Sequence, residues 1–120
     1  MKGNNIIQEK SFAFALRIIH LTRYLNDKKE FVISKQILRS GTSIGANVEE
    51  AIGCHSYKDF LAKFSIIYKE ARETLFWLKL LHQSKILSED QSVSMMNDCE
   101  ELLRIIGSIQ KTLKSKIKDS

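Results

Sequence analysis

Residues 41–45 of this 120-residue chain spell Gly-Thr-Ser-Ile-Gly, a G-x-S-x-G string. In serine hydrolases that string sits at a sharp turn from strand to helix and raises the serine hydroxyl over a parallel sheet. Ser43 would be the nucleophile, so the neighbouring sequence must supply the strand. It does not. Both glycines lie inside a run whose apolar residues recur at helical spacing, and no strand-like alternation precedes them. The spelling is a coincidence, and the residues offer no catalytic group.

Metal and phosphate chemistry fare no better. A di-iron bundle needs Glu-x-x-His pairs on two helices, and none of His20, His55 and His82 follows a glutamate at that spacing. Cys54, His55 and Cys99 lack the ligand spacing of a zinc site. Neither glycine leads into the Lys-Ser or Lys-Thr of a Walker loop. The expectation is a chain without enzymatic activity, metal or cofactor.

The two glycines then need another reason, because glycine inside a helix costs about 0.5–1 kcal/mol relative to alanine. Gly41, Gly45 and Ala46 would let a neighbouring helix approach closely. Beside them Gln36, Ser40, Ser43, Asn47, Glu50 and Cys54 recur at steps of three and four. That polar stripe is suited to hydrogen-bonding an adjacent helix. Further along, Glu70 and Glu73 fall near the edge of an apolar face. Either they belong to a solvated charged face with i,i+3 and i,i+4 pairs, or one of them, paired with Arg39 or with the Asn47/Glu50 stripe, forms a buried brace between the second and third helices, fixing register more than adding stability.

The elements that position these residues are helices. A composition of 43% hydrophobic and 28% charged residues is that of a globular protein, and 120 residues make one domain, 1–120. Proline is absent, which favours long uninterrupted helices. The apolar spacing predicts helices over 8–26, 35–52, 57–83 and 89–115. In the first, Phe14, Ile18, Leu21 and Leu25 form one stripe, with Phe12, Leu16 and Ile19 as a second beside it. Ser34 reads as an N-cap of the second, with Ile33 and Leu38 as a hydrophobic staple, and Gly53 as its left-handed end. The third carries Tyr57, Leu61, Phe64, Tyr68, Ala71, Leu75 and Leu78 on one face behind a Ser56 cap. The fourth carries Met96, Cys99, Leu103, Ile106 and Leu113. Four such helices with short connections make an all-α, antiparallel up-and-down four-helix bundle.

Charge supplies the remaining signal. The net charge is +5, and Lys111, Lys114, Lys116 and Lys118 crowd a basic tail over 111–120, leaving the rest close to neutral. The longest uncharged run, 40–48, is far below the ~20 residues of a membrane span. The start of the chain lacks a secretory pattern, and the two cysteines read as reduced, buried thiols. These features predict a soluble cytoplasmic protein with no membrane partner. Candidate phosphate contacts are Lys35, Lys63, Arg72 and Lys79 on exposed helix faces, with Lys111, Lys114 and Lys116 from the tail.

Two segments carry a family resemblance. "QILRSGTSIGANVEEA" (36–51) resembles the signature of the small bacterial four-helix proteins encoded within intervening sequences of 23S rRNA genes. "KEARETLFWLKLL" (69–81) is similar to the matching part of their third helix. The resemblance implies a closed four-helix protomer, assembly into a ring-shaped homopentamer, and no enzymatic activity. It brings in a relative, the accessory variability determinant of diversity-generating retroelements, which binds nucleic acid and a reverse transcriptase. Carried onto this chain, Arg39, Ser43, Asn47 and Glu50 match the signature as structural or interface residues, alongside Ser40, Gly41, Gly45, Glu70 and Glu73.

Two functions compete on this reading. The first is a homo-oligomeric module for structured RNA or DNA, in which a ring repeats each subunit's cations and phosphate contacts add up. The second is a protein-interaction scaffold, with a partner such as a reverse transcriptase. Its support is the doubly apolar first helix, where Phe12, Phe14, Ile18 and Leu25 exceed what one core face uses; the subunit interface itself competes for the same surface.

Overall fold

A computed structural model describes residues 4–119. It contains α1 (Asn4–Asp27), α2 (Phe31–Ile52), α3 (Tyr57–Gln83) and α4 (Glu89–Asp119), with no strand among the described residues. Consecutive helices pack side by side and α4 returns to touch α1, giving an antiparallel up-and-down bundle of 51 × 21 × 19 Å. Among the described residues no helix is long and apolar enough to cross a membrane.

Helix ends depart from expectation in four places, each for a local reason. The α1–α2 turn closes at once: Lys29 takes a left-handed φ of 62°, and the Glu30 N–H reaches back to the Leu25 carbonyl. The next helix therefore restarts at Phe31, with Glu30 as an N-cap that lends no side chain. Ser34 is not a cap but a buried residue of the second turn, its hydroxyl donating to the Thr22 carbonyl of α1 at 3.2 Å. Gly53 ends α2 in a right-handed conformation, φ −81°, so its freedom to go left-handed is unused. Helix α1 begins four residues earlier than 8, placing Ile7 in the core. The basic tail is not a tail: α4 runs to Asp119 because Leu113 continues its buried stripe, and lysines in the last turn suit the negative end of the helix dipole.

The core combines Ile7, Phe14, Ile18, Leu21 and Leu25 of α1 with Ile37, Ile44, Val48 and Ala51 of α2. On α3 the buried stripe is Phe60, Phe64, Ile67, Ala71, Thr74, Leu75, Leu78 and Leu81. The expected face holds at Phe64, Ala71, Leu75 and Leu78 and fails along one edge, where Tyr57 and Tyr68 stand exposed, Leu61 is only half-buried, and Phe60 and Ile67 take the buried places. On α4 the stripe is Met95, Cys99, Leu102, Ile106, Ile109 and Leu113, with Met96 and Leu103 at its margin rather than within it. On α1, Phe14, Ile18 and Leu25 are all absorbed by the core; of the four residues expected to exceed it, Phe12 alone stands out, at 66% exposure.

Both glycines of the 41–45 string sit in unbroken helix, under α1. A Cβ on Gly41 would lie 2.7 Å from Cγ1 of Ile18, and one on Gly45 would lie 3.3 Å from the Ser11 carbonyl oxygen. At Gly41 a methyl group would force the Ile18 side chain aside, and at Gly45 it would press on the α1 backbone at a distance few Cβ atoms reach, so the bare backbone of these two positions lets α1 and α2 close. Ala46 is exposed beside this contact and is not part of it.

Candidate nucleic-acid interface

The polar stripe of α2 faces α3, and the two helices are tied at two heights. Near the middle, Thr74 Oγ1 lies 2.9 Å from Ser40 Oγ and 2.8 Å from the Glu70 carbonyl oxygen, a hydroxyl pair with no access to water. At the same height, on the outside, Arg39 reaches Glu70 at 3.3 Å and also pairs with Glu73, whose carboxylate accepts from Trp77 Nε1 at 3.0 Å. Toward one end, the Lys63 ammonium pairs with Glu50 at 2.7 Å and donates to Asn47 Oδ1 at 3.3 Å. The Arg39 brace is not buried as expected: its guanidinium arm is half exposed, because Arg39 stands on the outer rim of the α2–α3 seam. Ser43 spends its hydroxyl on the Ser40 carbonyl of its own helix at 2.9 Å, with no strand–turn–helix around it to raise it as a nucleophile.

These ties set the rotation of α3 and thereby decide which residues face water. The outward residues are Lys58, Ala62, Ser65, Lys69, Arg72, Phe76, Lys79 and Gln83, at alternating steps of four and three, and all are exposed. Such steps keep residues on one side of a helix. From Lys58 to Lys79 the stripe runs about 32 Å at 1.5 Å per residue. It contains four cations and no acid, and none of the four has an ion-pair partner among the described residues. Antiparallel packing sets the beginning of α3 beside the end of α4, where Lys111, Lys114, Lys116 and Lys118 are all exposed.

The sequence-derived contacts are thus redistributed. Arg72 and Lys79 share the α3 stripe, and Lys111, Lys114 and Lys116 are exposed near the end of α4, at the end of the bundle where α3 begins. Lys35 is exposed on α2, near the opposite end. Lys63 is the correction. Its ammonium is held by Glu50 and Asn47 against the α2–α3 seam, so it does not stand free on an exposed face. Lys58, Lys69 and Phe76 were not anticipated, although their four-three spacing with Arg72 and Lys79 is plain in the letters.

The two thiols occupy different surroundings. Cys99 is fully buried, its thiol donating to the Ala71 carbonyl at 3.4 Å. Burial, then the carboxylates of Glu100 and Asp98, push it up to about 12, against a smaller opposing pull from Arg72. It is therefore a protonated packing group. Cys54 is only half-buried, contrary to expectation, because it lies just past the end of α2 and not in the core. Among the described residues no cluster of histidine, cysteine and carboxylate side chains gathers to hold a metal ion.

Comparison with known proteins follows the same lines. A sequence profile for the family described as 23S rRNA-intervening sequence protein matches residues 3–108. The chain is similar to a protein of unknown function from the S23 ribosomal protein family of Bacteroides thetaiotaomicron, known from its crystal structure. The two share 47% identity and a TM-score of 0.88, over 91% of this chain and 98% of that one. No curated protein matches the sequence.

Proposed function

Because this chain belongs to the family of 23S rRNA-intervening sequence proteins, we propose that it is a non-enzymatic, homo-oligomeric module that binds structured RNA in the cytoplasm. The observation that carries this reading is the outward face of α3, where Lys58, Lys69, Arg72 and Lys79 line up in water without a neutralising carboxylate. Exposed cations spaced along a rigid helix are what a phosphate backbone requires. The lysines near the end of α4 are exposed at the end of the bundle where α3 begins. The ribosomal family of the Bacteroides protein points in the same direction.

Self-assembly, into a ring and specifically a pentamer, would repeat this face around an axis and multiply its phosphate contacts. Support comes from the outer side of the α1–α2 pair, where Phe12, Leu16 and Leu38 are exposed in spite of their apolar character. Around Phe12 the surface is Gln8, Ala15, Thr42, Ala46 and Glu49, so the charge this patch carries is negative and it suits a second copy of the chain better than a polyanion.

A labelled hairpin RNA with an internal loop tests the binding. The expected result is association that weakens steeply as salt is raised. Absence of binding, or affinity indifferent to salt, would remove the reading. Light scattering on the same sample is expected to give several times the monomer mass, and a monomer would exclude the ring. Purification from the native host, with identification of co-purifying RNA and protein, separates this reading from a scaffold for a polymerase such as a reverse transcriptase.

A further inference from the structure

Phe76 is the aromatic member of the α3 stripe. It is 52% exposed, with Arg72 four residues before it and Lys79 three residues after it on the same outward face. A ring half in water between two cations is not accounted for by the core, which it does not join. Nor is the ring loose. It meets Trp77 edge to face, with centroids 5.1 Å apart and planes at 66°. Trp77 is fixed in turn through its indole N–H on Glu73, and Glu73 through Arg39 of α2. The brace between α2 and α3 therefore ends in a held aromatic face.

Resting on the nucleic-acid reading above, we infer that Phe76, flanked by Arg72 and Lys79, is a stacking platform for an unpaired nucleotide, so that this face selects single-stranded segments such as loops and bulges. The chemistry is specific to unpaired bases. A duplex presents phosphates to Lys58, Lys69, Arg72 and Lys79 but keeps its base faces stacked inside, where Phe76 cannot reach them. An unpaired base offers its π-face to the ring while the flanking cations take the neighbouring phosphates, and such stacking tolerates any base. Arg72 and Lys79 lie about 10 Å apart along the helix axis, on either side of the ring. Phe12, by contrast, shares its depression with Gln8, Ala15, Thr42, Ala46 and the carboxylate of Glu49, and no cation lines it.

The test measures fluorescence anisotropy of the intact protein with two probes, a short single-stranded oligoadenylate and a fully paired RNA duplex. Phe76→Ala is expected to weaken the single strand about tenfold and leave the duplex nearly unchanged, with Phe76→Tyr, which keeps a ring, close to wild type. Replacing Lys69, Arg72 and Lys79 together with glutamine should weaken both probes. An equal loss on both probes in Phe76→Ala, or no loss on either, overturns the platform while leaving nucleic-acid binding in place. A fall in oligomer mass in Phe76→Ala, read by light scattering, assigns the ring to a subunit contact and overturns it too. If the wild-type protein binds neither probe nor the looped hairpin, the parent reading fails and takes the platform with it.

Discussion

The seam between α1 and α2 and the seam between α1 and α4 share a helix but are built on opposite plans. Against α2, helix α1 comes so close that a methyl group on Gly41 would collide with the Ile18 side chain and one on Gly45 would press on the Ser11 carbonyl. Ser34 adds a hydrogen bond from its side chain to the α1 backbone, out of contact with water. Against α4, the contact is the sparsest of the four, and it is bridged by long side chains: Lys10 to Glu101 at 3.3 Å, and Arg17 to Asp98 and Ser94. These bridges are half exposed, and beneath them lie two depressions of about 230 and 190 Å³. Backbone contact tolerates no substitution, whereas solvated ion pairs are worth little and are easily replaced. The bundle is therefore fastened along α1–α2 and α2–α3 and merely laced along α1–α4.

That contrast predicts its largest effect at Gly45. A leucine there drives its Cβ toward the Ser11 carbonyl, which is backbone and cannot step aside as a side chain would. Overpacking of this kind should cost about 3 kcal/mol, or roughly 10 °C in Tm for a domain of this size. Calorimetry checks it. An unshifted transition would mean that α1 and α2 are not in the close contact described here.

A smaller effect belongs to the buried hydroxyl pair of the α2–α3 seam. Thr74→Val keeps the shape but strands Ser40 Oγ in the core, at a cost of about 2 kcal/mol. Adding Ser40→Ala should recover most of that loss, because removing both partners leaves no unsatisfied group. Denaturant titration of the two single variants and the double measures the coupling. Additive losses would show that the pair is not a unit, and the fastening of this seam would have to come from apolar packing alone.

Much of this was legible in the letters, and the misses on α3 have two causes. The bundle follows from helical spacing without proline, and the reason for the two glycines follows from their cost inside a helix. The pairing of Arg39 with Glu70 and Glu73 was one of the options their spacing left open. What spacing does not fix is rotation about the helix axis to within a residue. On α3 the aromatics Tyr57 and Tyr68 look like core, yet Phe60 and Ile67 are the buried pair, and the outward stripe with Lys58, Lys69 and Phe76 went unread. Lys63 failed differently. Its partners Asn47 and Glu50 are 16 and 13 residues away on another helix, and only the packed seam brings them together.

The smallest effect should come from cutting the lacing. Arg17→Ala removes the contacts to Asp98 and Ser94, yet the pair is more than a third exposed and already screened by water. Its loss should cost less than about 1 kcal/mol. The telling readout is where the loss appears. Hydrogen exchange should quicken along α1 and α4 while α2 and α3 keep their protection, because opening this seam leaves the other three intact. Raising the salt on the wild-type protein should move exchange in the same direction, since screening weakens the same pair. Should Arg17→Ala instead unfold the chain as Gly45→Leu does, the α1–α4 seam would have to be counted among the fastened ones, and the asymmetry of the bundle would disappear.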